Sequence, residues 1–293
     1  MRVAVVGATG VIGRAAVPAL VRAGHDVVGL ASTAEAASLL AGWGARPCRG
    51  DGSDDQHLLD LVEGADAVCN VAGHVPVGLA ALRPGAWRLD DRLRTDGARR
   101  VVAAARAAGV RRVVQGSVSY LYADQGDAWI AEDSPLAITR ATEPASVGEL
   151  HVQDYACGSR TAVVLRLGTV IGDESGASHP AVAAGHPDSW AHVLHVDDLG
   201  PALLAALSVP SGVYNVGAEP VRRAELVAGA PRRGPVGVAG PVLRRLGGVR
   251  HEPLARSLRV SSAHFAAQSG WQPSRVRFDA SWYAPTERTS ALR

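Results

Sequence analysis

Glycines 7, 10 and 13 follow the apolar run Val3–Val6 and lead into a helical pattern. A strand, a tight glycine turn and a helix start at that spacing are suited to receiving a pyrophosphate. Gly7 permits the turn, Gly10 admits backbone N–H groups to a phosphate, and Gly13 lets the helix pack closely. Thr9, Val11, Ile12 and Arg14 complete the loop and the first helical turn. A second group of residues could move protons. Ser117, Ser119, Tyr120 and Tyr122 follow the apolar run that begins at Arg112, and His74 directly follows Ala67–Gly73. A phenol or an imidazole at the end of a strand is a candidate general acid or base. No lysine accompanies them, because all 30 basic residues are arginine. His192 and His195 have a spacing that suits a metal pair. No cysteine or carboxylate set completes it, and no metal is expected. The Gly-x-Ser-x-Gly turn of serine hydrolases is missing.

The elements that must position these groups alternate. Apolar runs at Val3–Val6, Val27–Leu30, Arg46–Cys48, Ala67–Val71, Arg112–Gln115, Thr161–Leu167 and Val213–Val216 are separated by helical patterns. Those patterns lie near Val11–Arg22, Ala34–Gly42, Asp54–Glu63, Ala86–Ala108, Ser146–Ala156 and Asp198–Leu207. Short runs that are apolar without alternation indicate strands covered on both faces, hence a parallel sheet. The expected fold class is α/β: a Rossmann-type, doubly wound parallel sheet with a small, mostly helical C-terminal lobe. Residues 1–171 form the nucleotide-binding domain, completed by 195–216, and 172–194 with 217–293 form the small lobe. From about Gly217 strands are expected to stop, and nine arginines face three glutamates between Glu219 and Arg259.

A chain of 293 residues with 47% apolar and 20% charged residues is an ordinary globular composition. A net charge of +2 gives no reason to expect nucleic acid or an anionic membrane as partner. The first strand follows Arg2 directly, and no apolar run approaches the roughly 18 residues of a membrane span. Cys48, Cys69 and Cys157 are odd in number and far apart, so neither a disulfide framework nor a zinc set is expected. A cytoplasmic location is the expectation.

The second strand ends Gly29-Leu30-Ala31-Ser32-Thr33, with no carboxylate to hold a ribose 2′-hydroxyl or to repel a 2′-phosphate. Ser32, Thr33 and Arg14 are instead able to donate hydrogen bonds to such a phosphate. NADP is therefore expected in preference to NAD. Asp51 and Gly52 follow the third strand, where a carboxylate can accept from the adenine amino group. Asn70, Val71, Ala72 and Gly73 close the fourth strand beside the cofactor ribose.

These segments together resemble the extended and atypical short-chain dehydrogenase/reductases, in the NAD-dependent epimerase/dehydratase-like group. The glycine loop is similar to the fingerprint of that group, Asp51-Gly52 to its adenine contact, and Asn70–Gly73 to its fourth-strand motif. Val113–Asp124, Leu165–Gly172, His195-Val196-Asp197-Asp198 and Gly212–Gly217 are similar to its later segments. The resemblance implies a tyrosine acid/base with a lysine on the same helix and a serine that orients the substrate. Here Ala141 and Ala145 stand at the tyrosine and lysine positions, and Val118 at the serine position. The expected substitutes are Tyr122 as proton donor, Ser117 and Ser119 as hydroxyls that bind a water, and His74. The function expected is an NADP-dependent reductase of a small carbonyl-bearing metabolite, with a homodimer as the analogous assembly. The alternatives are a non-redox cyclase or isomerase that keeps the dinucleotide as a structural part, and a non-enzymatic dinucleotide sensor.

Overall fold

The computed structural model describes residues 1–76, 83, 85–172, 185–230, 250 and 252–284. Strand β1 (Arg2–Val6) shows how the sequence builds two cores at once. Val3 and Val5 enter one cluster with Val17, Leu20, Leu199 and Leu203. Ala4 and Val6 enter the other with Leu58, Leu61, Val101 and Val152. Successive side chains of a strand point to opposite faces, so an unbroken apolar run is what a sheet covered on both sides requires.

The remaining strands of the main sheet are β2 (Asp26–Ala31), β3 (Arg46–Arg49), β4 (Ala67–Asn70), β5 (Arg112–Val118), β6 (Thr161–Leu167) and β10 (Gly212–Val216). They lie in the order β3-β2-β1-β4-β5-β6-β10, and all six pairings are parallel. The chain runs outward from β1 in both directions, which places a topological switch point between β1 and β4. Ligands of such sheets bind outside the carboxyl ends of the strands at that point.

Helices α1 (Val11–Arg22), α2 (Ala34–Gly42) and α3 (Asp55–Val62) connect the first strands. Thr33 caps α2 by accepting from the Ala36 amide, and Asp54 caps α3 by accepting from Gln56 and His57. Each such cap contributes about 1 kcal/mol. The long helix expected over 86–108 is divided. Helix α4 (Arg88–Arg92) passes through a π-helical turn (Leu93–Gly97) into α5 (Ala98–Ala107). Such turns insert an extra residue and rotate the side chains that follow. Helix α6 (Glu143–Gln153) precedes β6, and α7 (Val196–Ala206) precedes β10.

Strands do not end at Gly217. Beyond β6, β7 (Thr169–Ile171) pairs with β9 (Val193–His195), and β8 (Trp190–Ala191) pairs with β11 (Val221–Arg222). With α8 (Arg223–Gly229) they enclose a satellite cluster of Ile171, Ala191, Val193, Leu226 and Trp282. Helix α9 (Ala263–Ser269) returns Phe265 to the main core. The loop expected to border the substrate lies at 172–194, and residues 173–184 of it fall outside the described residues. So do residues 231–249 of the arginine-rich stretch.

Candidate functional site

The glycine loop is tied to the fourth strand by backbone contact. Gly7 has φ +80°, and a Cβ there would lie 2.6 Å from the Ala72 Cα and N. A Cβ on Gly13 would lie 2.3 Å from the Gly7 and Ala8 carbonyl oxygens, so the helix start can approach the loop only as glycine. Gly10 is exposed and meets only the Gly7 oxygen, at 3.4 Å. Its amide donates to that oxygen, and its own carbonyl accepts from Arg14. Helix α1 has neither a side-chain cap nor an acidic residue in its first turn. Its first N–H groups and the positive end of its dipole are therefore offered to an anion.

Around this cradle, Val11 is exposed and Ile12 packs on the core beside the half-buried Thr9. The Arg14 Nε donates to the Thr9 carbonyl at 2.9 Å, which folds the guanidinium back over the loop. Ser32 is exposed at the end of β2, while the Thr33 hydroxyl is occupied by the α2 cap. Asp51 is exposed and its carboxylate accepts from the Ser53 amide, with Gly52 lying over Leu30. The Asn70 side chain donates to Gln115 and accepts from the Ala72 amide, which fixes Val71 and Ala72 beside Gly7. A close-approach loop, a helix terminus free of carboxylates and a fixed fourth-strand loop meet at the switch point. Together they fit a dinucleotide.

Ser117 and Tyr122, expected as proton-handling groups, are engaged inside the protein. The Ser117 hydroxyl donates to the Glu149 carboxylate at 2.5 Å. Glu149 also holds Arg166 through both oxygens, at 2.7–3.2 Å, and the two side chains are 3% and 5% exposed. Arg166 lies 4.8 Å from the centre of the Tyr122 ring, and the Tyr122 hydroxyl donates to Asn215 Oδ1 at 2.8 Å. Tyr122 has no exposed surface, packs with Ile130, Leu258 and Val260, and has its pKa raised by burial against the opposing Arg166 charge. The sequence places these side chains at the end of β5. It does not disclose that their partners, 32 and 93 residues away, turn them inward.

Their neighbour Tyr120 is half-buried and faces the cleft lining. Burial raises its pKa, opposed first by the Arg94 charge. Arg94 Nε donates to Asp90 at 2.7 Å, and the other Asp90 oxygen accepts from the His74 amide at 2.8 Å. Burial lowers the Arg94 pKa, but the charges of Tyr120 and Asp90 outweigh it and hold the guanidinium above its usual value. A Cβ on Gly73 would lie 3.6 Å from Asp90. The π-helical turn thus carries a cation to the end of the fourth strand, beside a phenol. The His74 side chain is itself exposed. Arg94 and Asp90 were not singled out by the sequence, although their i,i+4 spacing on a helical stretch is the mark of an ion pair.

Ser119 and Tyr120 line a small cavity of about 20 Å³ together with Thr169, His192 and Arg223, closed by aliphatic residues including Leu226, Leu254 and Leu258. The two histidines of the His-x-x-His spacing do different things. His195 caps α7 by accepting from the Asp197 amide through Nδ1 and packs edge-on to Trp282. His192 is 2% exposed, and neither ring nitrogen has a hydrogen-bond partner. Burial pushes its pKa down to about 3, and each orphaned buried polar atom costs about 1–3 kcal/mol. Among the described residues no cluster of three or more potential metal ligands exists.

A protein of a Streptomyces species named 3-diazoavenalumate denitrifying reductase is 34% identical, covering 94% of this chain and 96% of its own. The human epimerase family protein SDR39U1, solved with NADPH, superposes with a TM-score of 0.77 at 22% identity, covering 96% and 98% of the two chains. MoeE5, solved with UDP-glucuronic acid and NAD, gives a TM-score of 0.72 at 22% identity with the same coverage. Residues 3–217 match the NAD dependent epimerase/dehydratase family. A glycine-loop cradle at the β1–β4 switch point and a family match through the last strand of the sheet agree, and the chain belongs to the NAD dependent epimerase/dehydratase family.

Proposed function

We propose that this protein is an NADP-dependent reductase of a small electrophilic metabolite whose reduction does not depend on the tyrosine–lysine pair. The observation that carries the reading is an intact dinucleotide cradle in a chain without lysine. The cofactor would be held by the Gly7–Gly13 loop, the N–H groups that open α1, and the Val71–Gly73 loop. Arg14, folded over the loop, and the exposed Ser32 would donate hydrogen bonds to a 2′-phosphate. Reduced dinucleotide supplies hydride.

What the substrate does with hydride decides whether an acid is needed. A carbonyl becomes an alkoxide and must take a proton, a step for which positioned acids contribute about 10²–10⁴ in rate. A diazonium group that accepts hydride loses dinitrogen and leaves a C–H bond: one hydride and one cation give two neutral products. No proton donor is required. The 34% identical reductase carries a diazo compound and a loss of nitrogen in its name, which supports an acceptor that reacts in its diazonium form for the present chain. The carbonyl reading keeps one specific support, the Tyr120 phenol beside Arg94. Burial keeps that phenol protonated, so it would serve as a donor and not as a base.

The test is NADPH oxidation by the purified protein, with a panel of small aryl diazonium and carbonyl compounds and dinitrogen measured alongside. Dinitrogen released one-for-one with NADPH oxidised is the expected result. Oxidation with carbonyls alone would move the function to an alcohol-forming reductase. Product formation with no change at the nicotinamide would make the protein a cyclase or isomerase, and binding without turnover would make it a sensor.

A further inference from the structure

Arg94 has more hydrogen-bond donors than the protein engages. A guanidinium presents five N–H groups in a rigid planar fork. Among the described residues only the Nε group of Arg94 is engaged, by Asp90 Oδ2 at 2.7 Å. The side chain is 13% exposed, and neither Nη atom is sealed in the interior. Asp90 also fixes where the fork points. Its other oxygen accepts from the His74 amide at 2.8 Å, so one carboxylate ties the guanidinium to the loop that follows β4. On that loop Gly73 is exposed, and a Cβ there would lie 3.9 Å from Arg94 Nη2. Nη2 therefore stands beside the open side of the fourth-strand loop.

The position along the sheet decides which part of a dinucleotide passes there. The pyrophosphate belongs at the start of α1, and the adenosine ribose at the end of β2. In the order β3-β2-β1-β4-β5 the other half of the molecule must run over β4, past Ala72 and Gly73. Charge decides which group of that half the fork suits. Asp90 neutralises Arg94, and the adjacent Asp91 is held by Arg250 through both of its oxygens. The fields of such balanced pairs largely cancel at a distance. A donor inside one suits a neutral acceptor, such as a sugar hydroxyl, better than a phosphate.

We propose that Arg94 is a cofactor-contact residue whose Nη2 group donates to a hydroxyl of the nicotinamide ribose and fixes the reducing half of the dinucleotide over β4. The contact rests on the cofactor part of the reductase reading and requires no reaction. Its cation comes from the π-helical turn and not from α6, which carries Ala145 where the family resemblance sets a lysine.

Calorimetric titration of the full-length protein with NADPH, NADH and adenosine 2′,5′-bisphosphate tests it. The last of these fills the adenosine place and lacks the second ribose. Arg94→Met removes the donors at similar side-chain length. It strands the Asp90 carboxylate, so Arg94→Met combined with Asp90→Asn is measured beside it. An asparagine oxygen at position 90 can still accept from the His74 amide. Both proteins are expected to bind NADPH and NADH at least about tenfold more weakly than the unaltered chain, with adenosine 2′,5′-bisphosphate bound as before. Loss of both dinucleotides separates this contact from Arg14, whose loss falls on NADPH alone. Undiminished affinity for the dinucleotides, or a loss that extends equally to adenosine 2′,5′-bisphosphate, overturns the contact. An unaltered chain that binds neither dinucleotide overturns the cofactor reading together with it. The expected pattern in a protein that oxidises no NADPH with any acceptor keeps the contact and loses the reductase reading.

Discussion

The Ser117 hydroxyl and the Glu149 carboxylate meet at 2.5 Å in the interior, on the far side of which Arg166 closes a fork around the same carboxylate. A serine at the end of the fifth strand is thereby spent on holding an ion pair. Removing one partner of a buried pair strands the other charge, which costs about 3–5 kcal/mol. Glu149→Gln is expected to lower the melting temperature sharply, whereas Ser117→Ala, which leaves the fork intact, should cost only about 1 kcal/mol. Replacing Glu149 and Arg166 together by leucine should recover most of the loss. Thermal unfolding of the four proteins checks the order, and a Ser117→Ala variant as unstable as Glu149→Gln contradicts it.

Tyr122 and Tyr120 should separate stability from chemistry. Tyr122→Phe leaves Asn215 Oδ1 without its donor and should destabilise by about 1–3 kcal/mol while leaving turnover per folded molecule unchanged. Tyr120→Phe should leave stability nearly unchanged. It should slow reduction of a carbonyl substrate by about 10²-fold or more and leave reduction of an aryl diazonium substrate untouched. The two acceptors, compared in one variant, show whether a proton is being delivered.

Gly7→Ala meets both a left-handed backbone and the Ala72 main chain, so it should lose NADPH binding together with stability. Gly10→Ala has space at 3.4 Å and should fold. Its Cβ, placed on the exposed face of the loop, should still weaken NADPH binding by about tenfold or more. Normal NADPH affinity in a folded Gly10→Ala protein would remove the loop from the cofactor site. Arg14→Ala should weaken NADPH selectively, by about tenfold, with NADH unaffected.

His192 makes stability depend on pH. Its pKa is pushed down to about 3 in the folded protein against about 6.5 in the unfolded chain. Between those values the unfolded chain binds the extra proton, so the stability contribution of neutral His192 is complete above pH 6.5 and is lost as pH falls towards 3. The slope for one proton is at most about 1.4 kcal/mol per pH unit. Unfolding curves at pH 7, 6 and 5 should show a decline that is shallower by up to that amount in His192→Phe.

The cradle was legible because its chemistry is local. Spacing, φ requirement and helix start all fall within residues 7–14, and the order of apolar runs is enough to set the sheet. The proton-handling residues were not legible in the same way. Whether a tyrosine at 122 faces a substrate or Asn215 depends on a strand that arrives 93 residues later. The His-x-x-His spacing was ambiguous for a related reason. One ring caps a helix and the other stacks against Gly217, and no rule of spacing distinguishes those fates. The Arg94–Asp90 pair was visible as a spacing, but its delivery to the fourth strand depends on a π-helical turn that composition does not announce.

Gly148 bears on how such a chain can change. A Cβ there would lie 2.3 Å from the Arg94 carbonyl oxygen, so α6 is pressed backbone to backbone against the π-helical turn. Ala145, which the family resemblance sets at the lysine position, is buried on this same helix. A lysine introduced there would enter a closed interior, on a helix that Gly148 already holds against the turn. Any side chain larger than glycine at position 148 would have to push these two backbones apart, so the seat of the Arg94 side chain is set by a residue that carries no side chain of its own.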